Sequence, residues 1–461
     1  MAERNDPAAW AQQQYGAVDL GDRRLNRRAV LVGEAMARRG NHLTGVRDNA
    51  AASKAFYRLI SEDSVTFAAL TEPHRLMVRH DAAACVGPVL FVQDQTYLDF
   101  TGHPAIEGLG RIASPNQKGV AMGRGFVAQT CLAMEASSGR LLGLSNLELT
   151  VRPEASNHER NETRTQRMKR RNESDVWFET LTHIGTPPAG AVWISVGDRD
   201  SDCFRYFRQA RDAGWHVLAR LCHDRLLVEL DDASGTVRHL LPHLRGLAPA
   251  MTLALAPTPQ TPWRPALPLS VAWTRVRLLA PHNGPWRTAT PLECWLVRAW
   301  ASEPEVEWLL LSTLPVTTPD AARDVVAWYA CRWRVEEFHK ALKTGCGFEK
   351  ARLRHADRLE ALLGFCALIA VRLLALREDA QRDPDAPATT VASPLAVTLV
   401  AARRHLPRDG MTAGVFWRAV AGLGGFLGRK CDGPPGWLTL WRGWMIVCEW
   451  CWAVECATNL P

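Results

Sequence analysis

The chain has 461 residues, of which 47% are hydrophobic and 22% charged, and its formal net charge at pH 7 is +7. This composition excludes a disordered or fibrous protein and is ordinary for a globular chain of two or three domains. The mild excess of positive charge permits nucleic acid as a partner but does not demand it.

The segments that could direct the chain to a membrane lack the necessary pattern. The first six residues have no apolar core of the kind that a secretory signal needs. The two longest apolar runs, 361–376 and 437–454, are interrupted by Arg372, Arg442 and Glu449. The twelve cysteines lie mostly in apolar segments, which favours reduced thiols. We therefore expect a cytoplasmic protein without membrane contact.

The N-terminal residues are predicted to form a basic helical region, from about Ala8 to Arg79. One helix in it is expected from about Ala50 to Ile60 and carries Lys54 and Arg58. Such helices usually contact DNA grooves and phosphates, although a merely solvated charged face fits the pattern equally well. Four residues of an earlier helix are placed to face inward: Leu25, Ala29, Val30 and Ala35.

The next part of the chain has the pattern of an open α/β sheet. Strands are predicted at 89–92, 125–134, 140–150, 192–196 and 217–221, and helices at 160–183 and 201–213. The first of these helices is basic, with Arg164, Arg167, Lys169, Arg170 and Arg171.

Two acids stand where predicted strands end. Asp94 follows the first strand and Asp198 follows the fourth. Open α/β sheets place their chemistry where strands give way to loops. One such acid is weak evidence because Asp is common in turns, but two of them together with an acid on a later helix are more specific.

The hydrophobic pattern of the sequence changes at about residue 224. Short alternating runs broken by prolines predict a β-rich insertion at about 224–319. Helix returns at 320–343, and a strongly apolar helix is expected at 356–378. A polar, proline-bearing linker at 379–390 leads to helices rich in tryptophan, which suggest a surface for self-association.

The stretch from Tyr329 to Lys343 is predicted to be a single helix, since it contains neither Pro nor Gly. At about 100° per residue, one stripe holds Tyr329, Arg332, Glu336, Lys340 and Lys343, while Val335, Phe338 and Leu342 face away. One acid among cations suits a carboxylate that holds a metal ion beside groups that bind a polyanion. Glu337 lies off the stripe, so Glu336 is the candidate ligand. The alternative is an exposed helix with fortuitous charges.

These residues carry a resemblance to a known family. With Asp94, Asp198 and the spacing Tyr329-x2-Arg332-x3-Glu336-x6-Lys343, the chain resembles the DDE transposases of bacterial insertion sequences. It is closest in pattern to the cut-and-paste branch with the Y-R-E-K signature, to which the transposase of transposon five belongs. The likeness also covers 20–24, 53–58, 220–223, 308–312 and 437–444.

The resemblance implies an α/β architecture with an RNase H-like catalytic domain at 81–378, interrupted by the β-rich insertion. A helical DNA-end-binding domain at 1–80 and a helical dimerisation region at 379–461 would flank it. Asp94, Asp198 and Glu336 would be the catalytic triad and would hold two Mg²⁺ ions, with Mn²⁺ as a substitute.

The resemblance also implies a set of DNA contacts. Tyr329, Arg332 and Lys343 would hold phosphates of the transposon end, helped by Lys340, with Arg220 and Arg199 as weaker candidates. Trp308 would stack at the site of a flipped base, although a place in the apolar core explains this tryptophan too.

The function predicted from these features is cut-and-paste transposition by Mg²⁺-dependent hydrolysis and strand transfer at terminal inverted repeats. The partners would be double-stranded DNA, both transposon ends and target, and a second copy of the chain, at the nucleoid of a bacterial cell. One alternative is another RNase H-fold nuclease, such as a junction resolvase. The other is a non-catalytic, domesticated DNA-binding repressor.

Overall fold

The computed structural model describes residues 6–39, 50–113, 122–152, 173–230, 235–255, 266–282, 286–302, 306–429, 432–433 and 435–458. By its internal contacts the chain divides into two compact units. The helical unit comprises Met1–Val78, Tyr97–Phe126 and Glu337–Pro461, and the sheet unit comprises Arg79–Thr96 and Val127–Glu336.

The helical prediction for the N-terminal region is confirmed. The helices are α1 (Pro7–Tyr15), α2 (Arg23–Arg39), α3 (Ala50–Leu59) and α4 (Phe67–Ala84), the last of which ends in the sheet unit. Helix α1 begins where sequence rules place a start, because the Asp6 side chain accepts a hydrogen bond from the Ala8 N–H at 3.0 Å and Pro7 opens the first turn.

The inward face of α2 differs from the prediction. Ala29 is buried as expected, but Leu25, Val30 and Ala35 are only half-buried. The buried positions follow a stripe that contains Gly33, where an added Cβ would lie 2.4 Å from the ring of Tyr15. This close approach of α1 sets the rotation of α2. Among the described side chains of α2, the buried residues are Ala29, Val32, Gly33, Met36 and Ala37.

The C-terminal helices complete the helical unit. They are α10 (Ala356–Arg382), α11 (Pro394–Arg404), α12 (Ala413–Leu423) and α13 (Trp437–Thr458). Among the described residues, one helix is long and apolar enough to cross a membrane, Ala356–Glu378, and 94% of its apolar window is buried inside the protein. This helix is therefore the core of its unit. It also runs four residues into the predicted linker, as far as Arg382.

The sheet unit confirms the predicted order of strands and helices. The strands of the first part are β1 (Val89–Asp99), β2 (Gly110–Ala113), β3 (Met122–Glu135), β4 (Leu141–Thr150), β5 (Trp193–Gly197) and β6 (His216–Arg220). Only β2, which lies in the helical unit, was not predicted. Helices α5 (Val176–Ile184) and α6 (Phe204–Asp212) alternate with β5 and β6. The basic residues predicted on the helix before His183, from Arg164 to Arg171, lie outside the described residues.

One strand end was placed wrongly. The polar run after Val92 suggests a loop, but β1 continues through Asp94 to Asp99 because its backbone remains next to β3 in the sheet. Asp94 is therefore a mid-strand residue, whereas Asp198 follows β5 directly, as predicted.

The predicted insertion is confirmed as β-rich and extends the same sheet. Its elements are β7 (Leu226–Glu229), β8 (Val237–His239), α7 (Leu240–Arg245), β9 (Met251–Leu255), β10 (Leu267–Leu278), β11 (Leu292–Ala301) and β12 (Val306–Ser312). The strand order is β3-β1-β5-β6-β12-β11-β10-β7-β8, with β4 on β3 and β9 on β10. Strand β5 is parallel to β1 and β6, while β12 returns antiparallel to β6, with Leu310 opposite Arg220.

The single helix predicted from Tyr329 to Lys343 is wrong. The structure has α8 (Pro319–Ala330), a turn at Cys331 and Arg332, then α9 (Trp333–Lys340) and a π-helical turn, Ala341–Gly345. The Arg332 N–H bonds to Tyr329 O at 3.0 Å, an i to i−3 bond that tightens the backbone although no Pro or Gly is present. A uniform wheel of 100° per residue therefore fails across this turn. The predicted apolar face still holds, since Val335, Phe338 and Leu342 are 0% exposed.

Candidate active site

Three acids of the sheet unit lie near one arginine. Asp94 comes from the middle of β1, Asp198 from the loop after β5, and Glu336 from the first turn of α9. Strands β1 and β5 run parallel with Val92 opposite Val196, so Asp94 on β1 lies level with Asp198, just beyond the end of β5. The fold thus brings together residues that are far apart in sequence.

Arg332 connects the carboxylates. Its Nη1 atom lies 3.4 Å from Asp94 Oδ2, and its Nη2 donates to Glu336 Oε1 at 2.7 Å. It also interacts electrostatically with Asp198. The side chains of Asp94 and Glu336 are 14% and 35% exposed, so both can reach solvent. The turn that breaks the predicted helix is what carries this guanidinium.

The electrostatics of the site show an excess of acid. Burial raises the pKa of Asp94 to about 7, Arg332 opposes this rise, and the charges of Asp198 and Glu336 add to it. Burial also raises the pKa of Asp198, against a hydrogen bond from the Asp200 N–H at 2.9 Å. Carboxylates that burial and mutual repulsion drive toward protonation mark a place where further positive charge is favourable.

The choice of Glu336 over Glu337 agrees with burial. Glu337 is only 2% exposed and forms an ion pair with Arg377 inside the helical unit. A carboxylate engaged in this way serves the packing of that unit. Glu336, by contrast, keeps part of its surface accessible.

An aromatic and basic group adjoins the acids. Tyr329 is 4% exposed, and burial raises its pKa, against the neighbouring charges of Arg332 and Arg220. Arg220 bonds to the Tyr329 hydroxyl and donates to Glu307 O at 2.8 Å. The rings of Trp308 and Tyr329 are 5.0 Å apart in an edge-on arrangement. Trp308 is half-buried, so it is not a simple core residue.

The remaining predicted residues belong to the helical unit. Lys343 is half-buried, its pKa is lowered by burial, and its Nζ lies 3.9 Å from Glu349 Oε1. Lys340 is exposed and stands one turn after Glu336 on α9, while Lys54 and Arg58 are exposed on α3. Lys340, Lys54 and Arg58 are thus accessible cations within their own unit.

Sequence reasoning missed a basic cavity of about 210 Å³ in the sheet unit. Arg245 lines it together with the weaker candidates Arg199 and Arg220, and Glu307 lines it too. Arg245 donates to Glu307 Oε2 at 2.8 Å. No local signal distinguishes Arg245 in the sequence, because it ends a six-residue helix inside the insertion.

A second cluster near Asp198 is structural. Among the described residues, one group of three, Asp202, Cys222 and His223, has ligand atoms that all lie within 4.8 Å of one another. The buried Asp202 carboxylate already pairs with Arg225 and accepts the N–H groups of Cys222 and His223 at 2.7 and 2.8 Å. Its charge and lone pairs are in use, so it holds the turn and leaves little for a cation. The three acids around Arg332 are spaced more widely.

The donor set of Asp94, Asp198 and Glu336 fits hard divalent cations. Carboxylate oxygens are the ligands that Mg²⁺ prefers, and it keeps several waters besides. Two ions about 3.5–4 Å apart can share such carboxylates without all three touching one point. The raised pKa of Asp94 shows that the negative charge of the three acids is not fully balanced by nearby positive charge.

Two family models match the chain. Residues 7–65 match the family model described as transposase DNA-binding, and residues 132–372 match the one described as transposase DDE domain. The second match contains Asp198 and Glu336, whereas Asp94 lies between the two matches. Members of this family generally use divalent metal ions.

Among solved structures, the chain is similar to one titled as a cryo-EM structure of piggyBac transposase synaptic complex with hairpin DNA. The two are 11% identical with a TM-score of 0.37, and the match covers 83% of this chain and 73% of that chain. Likeness at this level supports no residue assignment. The DDE match alone spans more than half of the 461 residues. This chain therefore belongs to the DDE transposases, DNA-binding enzymes of the transposase and nuclease type.

Proposed function

We propose that the protein is a cut-and-paste transposase of a bacterial insertion sequence, in the Y-R-E-K branch that contains the transposase of transposon five. It cuts phosphodiester bonds at terminal inverted repeats and joins the freed 3′-hydroxyl ends to target DNA. The observation that carries the proposal is the meeting of Asp94, Asp198 and Glu336 around Arg332. Both family matches favour this function over a resident RNase H-fold nuclease.

The catalytic residues would be Asp94, Asp198 and Glu336, which would hold two Mg²⁺ ions, or Mn²⁺ in their place. When bound, such ions supply an activated water and offset the charge that develops at phosphorus. The charges of both Asp198 and Glu336 act on Asp94, which suits a shared ligand. Arg332 holds the acids near one another and offers its remaining N–H groups to a phosphate.

The fold proposed for this reaction is RNase H-like, with strands β1, β5 and β6 at its centre and the insertion at about 224–319. The proposed domains remain 1–80, 81–378 and 379–461. The family match at 7–65 supports a DNA-binding role for the first of them. The antiparallel pairing of β12 with β6 supports a single sheet for the second.

DNA contact is proposed on both units. In the sheet unit, Tyr329, Arg332 and Arg220 would hold phosphates of the transposon end, with Arg199 beside them, and Trp308 would stack on a displaced base. In the helical unit, Lys343 would hold phosphates of the transposon end, helped by Lys340. Lys54 and Arg58, exposed on α3 within the DNA-binding match, would recognise the terminal repeat.

We further infer that the protein works as a homodimer in the synaptic complex, in the cytoplasm at the nucleoid, on transposon ends and target DNA. The apolar character of α13 supports the self-association. Its residues Ile446, Trp450 and Val454 recur at i+4 spacing and are only half-buried.

The test replaces Glu336 by Gln, which keeps the shape of the side chain and removes its charge. Nicking of a terminal-repeat duplex in Mg²⁺ should fall by at least about 10²-fold, because a ligand of the metal site is lost. Binding of the same duplex without metal should persist.

Asp200→Asn is the matched control, since it removes one exposed carboxylate next to Asp198. It should cut DNA at close to the wild-type rate. Equal loss of nicking and of metal-free binding in Glu336→Gln would refute the metal role. Binding without any nicking by the wild type would point to a repressor.

A further inference from the structure

A chain of buried polar side chains lies on the face of the sheet opposite Asp94. Gln93 and Asp94 are consecutive in β1, so their side chains point to opposite faces. Gln93 is 0% exposed, and its Nε2 donates to Ser195 Oγ at 2.8 Å and to Trp177 O at 3.3 Å. The two adjacent strands β1 and β5 are thus joined by side chains as well as by backbone.

The chain continues at both ends. Gln129 on β3 donates from Nε2 to Gln93 Oε1 at 2.8 Å, and the Tyr206 hydroxyl on α6 donates to Ser195 Oγ at 2.7 Å. All four side chains are at most 2% exposed. The set Gln129, Gln93, Ser195 and Tyr206, here called the polar chain, therefore links three neighbouring strands and one helix.

Members of the polar chain lie close to both aspartates in the sequence. Gln93 immediately precedes Asp94. Ser195 lies three residues before Asp198, and Tyr206 lies on the first α-helix after it. The hydrogen bond between Ser195 and Tyr206 therefore closes the segment that carries Asp198. The backbone segments that carry the two acids are therefore connected by the hydrogen bonds of the polar chain.

Stability alone gives little reason for polar residues at these positions. Apolar side chains of the same shape in place of both bonding partners are nearly neutral for folding. Hydrogen bonds add a fixed distance and direction, and a buried network selects one arrangement of the elements it joins. The polar chain is thus suited to fix how β1 and β5 stand relative to each other.

We propose that the polar chain sets the separation between Asp94 and Asp198 that divalent-cation binding requires. Its members are positioning residues, because they lie on the far face of the sheet and act through the strands. This inference rests on the proposed function, in which those two acids are metal ligands.

The test is Tyr206→Phe in the full chain, which removes one hydroxyl and keeps the ring. Mn²⁺ affinity is measured without DNA by paramagnetic titration, together with thermal unfolding. We expect the dissociation constant to rise by up to about 10-fold, the lower end of the range for partners bonded directly to a metal ligand, because these residues act through the strands. Ser195→Ala should change it in the same direction.

The matched control is Tyr15→Phe in the helical unit. It removes a buried hydroxyl that donates to Gly364 O at 3.4 Å, and it should leave Mn²⁺ affinity unchanged. Unchanged affinity in both Tyr206→Phe and Ser195→Ala would overturn the inference. An equal loss in Tyr15→Phe would also overturn it, since general loosening would then explain the effect.

The titration separates this inference from the proposed function. If the wild type binds Mn²⁺ and Asp94→Asn abolishes that binding, the positioning role can be judged whether or not the protein cuts DNA. Failure to nick a terminal repeat would then refute transposition alone. Absence of Asp94-dependent binding in the wild type would refute both.

Discussion

The two units differ in how their candidate functional residues are arranged. In the sheet unit, Asp94, Asp198 and Glu336 come from separate segments and meet at Arg332, with burial that alters the pKa of Asp94. In the helical unit, candidates such as Lys54 and Arg58 are exposed cations on one helix. A metal site requires side chains that converge, as the three acids of the sheet unit do around Arg332. Phosphate contact requires only accessible positive charge, which fixes the position of the protein on DNA once the DNA is bound.

The largest expected difference between the units concerns pH. An unfolded Asp has a pKa near 3.9, whereas burial raises the pKa of Asp94 in the folded protein to about 7. Between these values the folded protein holds the extra proton, so without metal it should lose stability as pH rises from about 4 to about 7. The loss should be up to about 4 kcal/mol.

Urea unfolding in buffers at about pH 5 and about pH 8 measures this loss. Asp94→Asn should flatten the dependence, and added Mn²⁺ should restore stability to the wild type at the higher pH. Identical slopes for wild type and Asp94→Asn would contradict the raised pKa. A carboxylate of the helical unit that is already paired, such as Glu34 with Arg38, provides the control as Glu34→Gln.

A smaller effect is expected at Trp308. Replacement by Ala should weaken binding of a pre-cut transposon end by about 1–3 kcal/mol if the indole stacks on a displaced base. Trp308→Phe should retain much of the affinity because the aromatic face remains. On a duplex with an abasic nucleotide at the displaced position, the wild type and Trp308→Ala should bind alike. An undiminished difference on that duplex would assign Trp308 to packing against Tyr329.

The smallest effects compare single cations of the two units. Removing one phosphate contact should reduce the salt slope of end binding by about 0.9. We expect this for Arg332→Ala in the sheet unit and for Lys54→Ala in the helical unit. Measurement by anisotropy over a range of salt concentrations gives both slopes. An unchanged slope for Lys54→Ala, with a reduced one for Arg332→Ala, would confine phosphate contact to the sheet unit.

The sequence allowed much of the sheet unit to be predicted, because its strands are apolar runs bounded by turns. Asp198 was identified from such a boundary. The run of β1 past Val92 was not, since backbone pairing with β3 maintains the strand after the hydrophobic signal ends. The hydrophobic periodicity and the composition of a segment indicate which of its residues are buried. They do not indicate which distant strand it pairs with.

The turn at Arg332 shows the same limit more sharply. Nothing in the local sequence breaks the helix there, and the bonding that does so accompanies contacts with Asp94 and Glu336. Glu336 stays the candidate, since its side chain is 35% exposed whereas Glu337 is 2% exposed. The predicted apolar face of Val335, Phe338 and Leu342 is confirmed. The polar chain was also overlooked, although Ser195 within an otherwise apolar strand was a visible signal.

Because β12 returns to the side of β6, residues that are far apart along the chain are neighbours in space. The chain leaves the central strands after Arg220 and comes back at Leu310, directly opposite the residue from which it departed. The segment between these two residues begins and ends at the same place in the sheet. Its length and its surface can therefore change during evolution without moving Glu336, which follows β12.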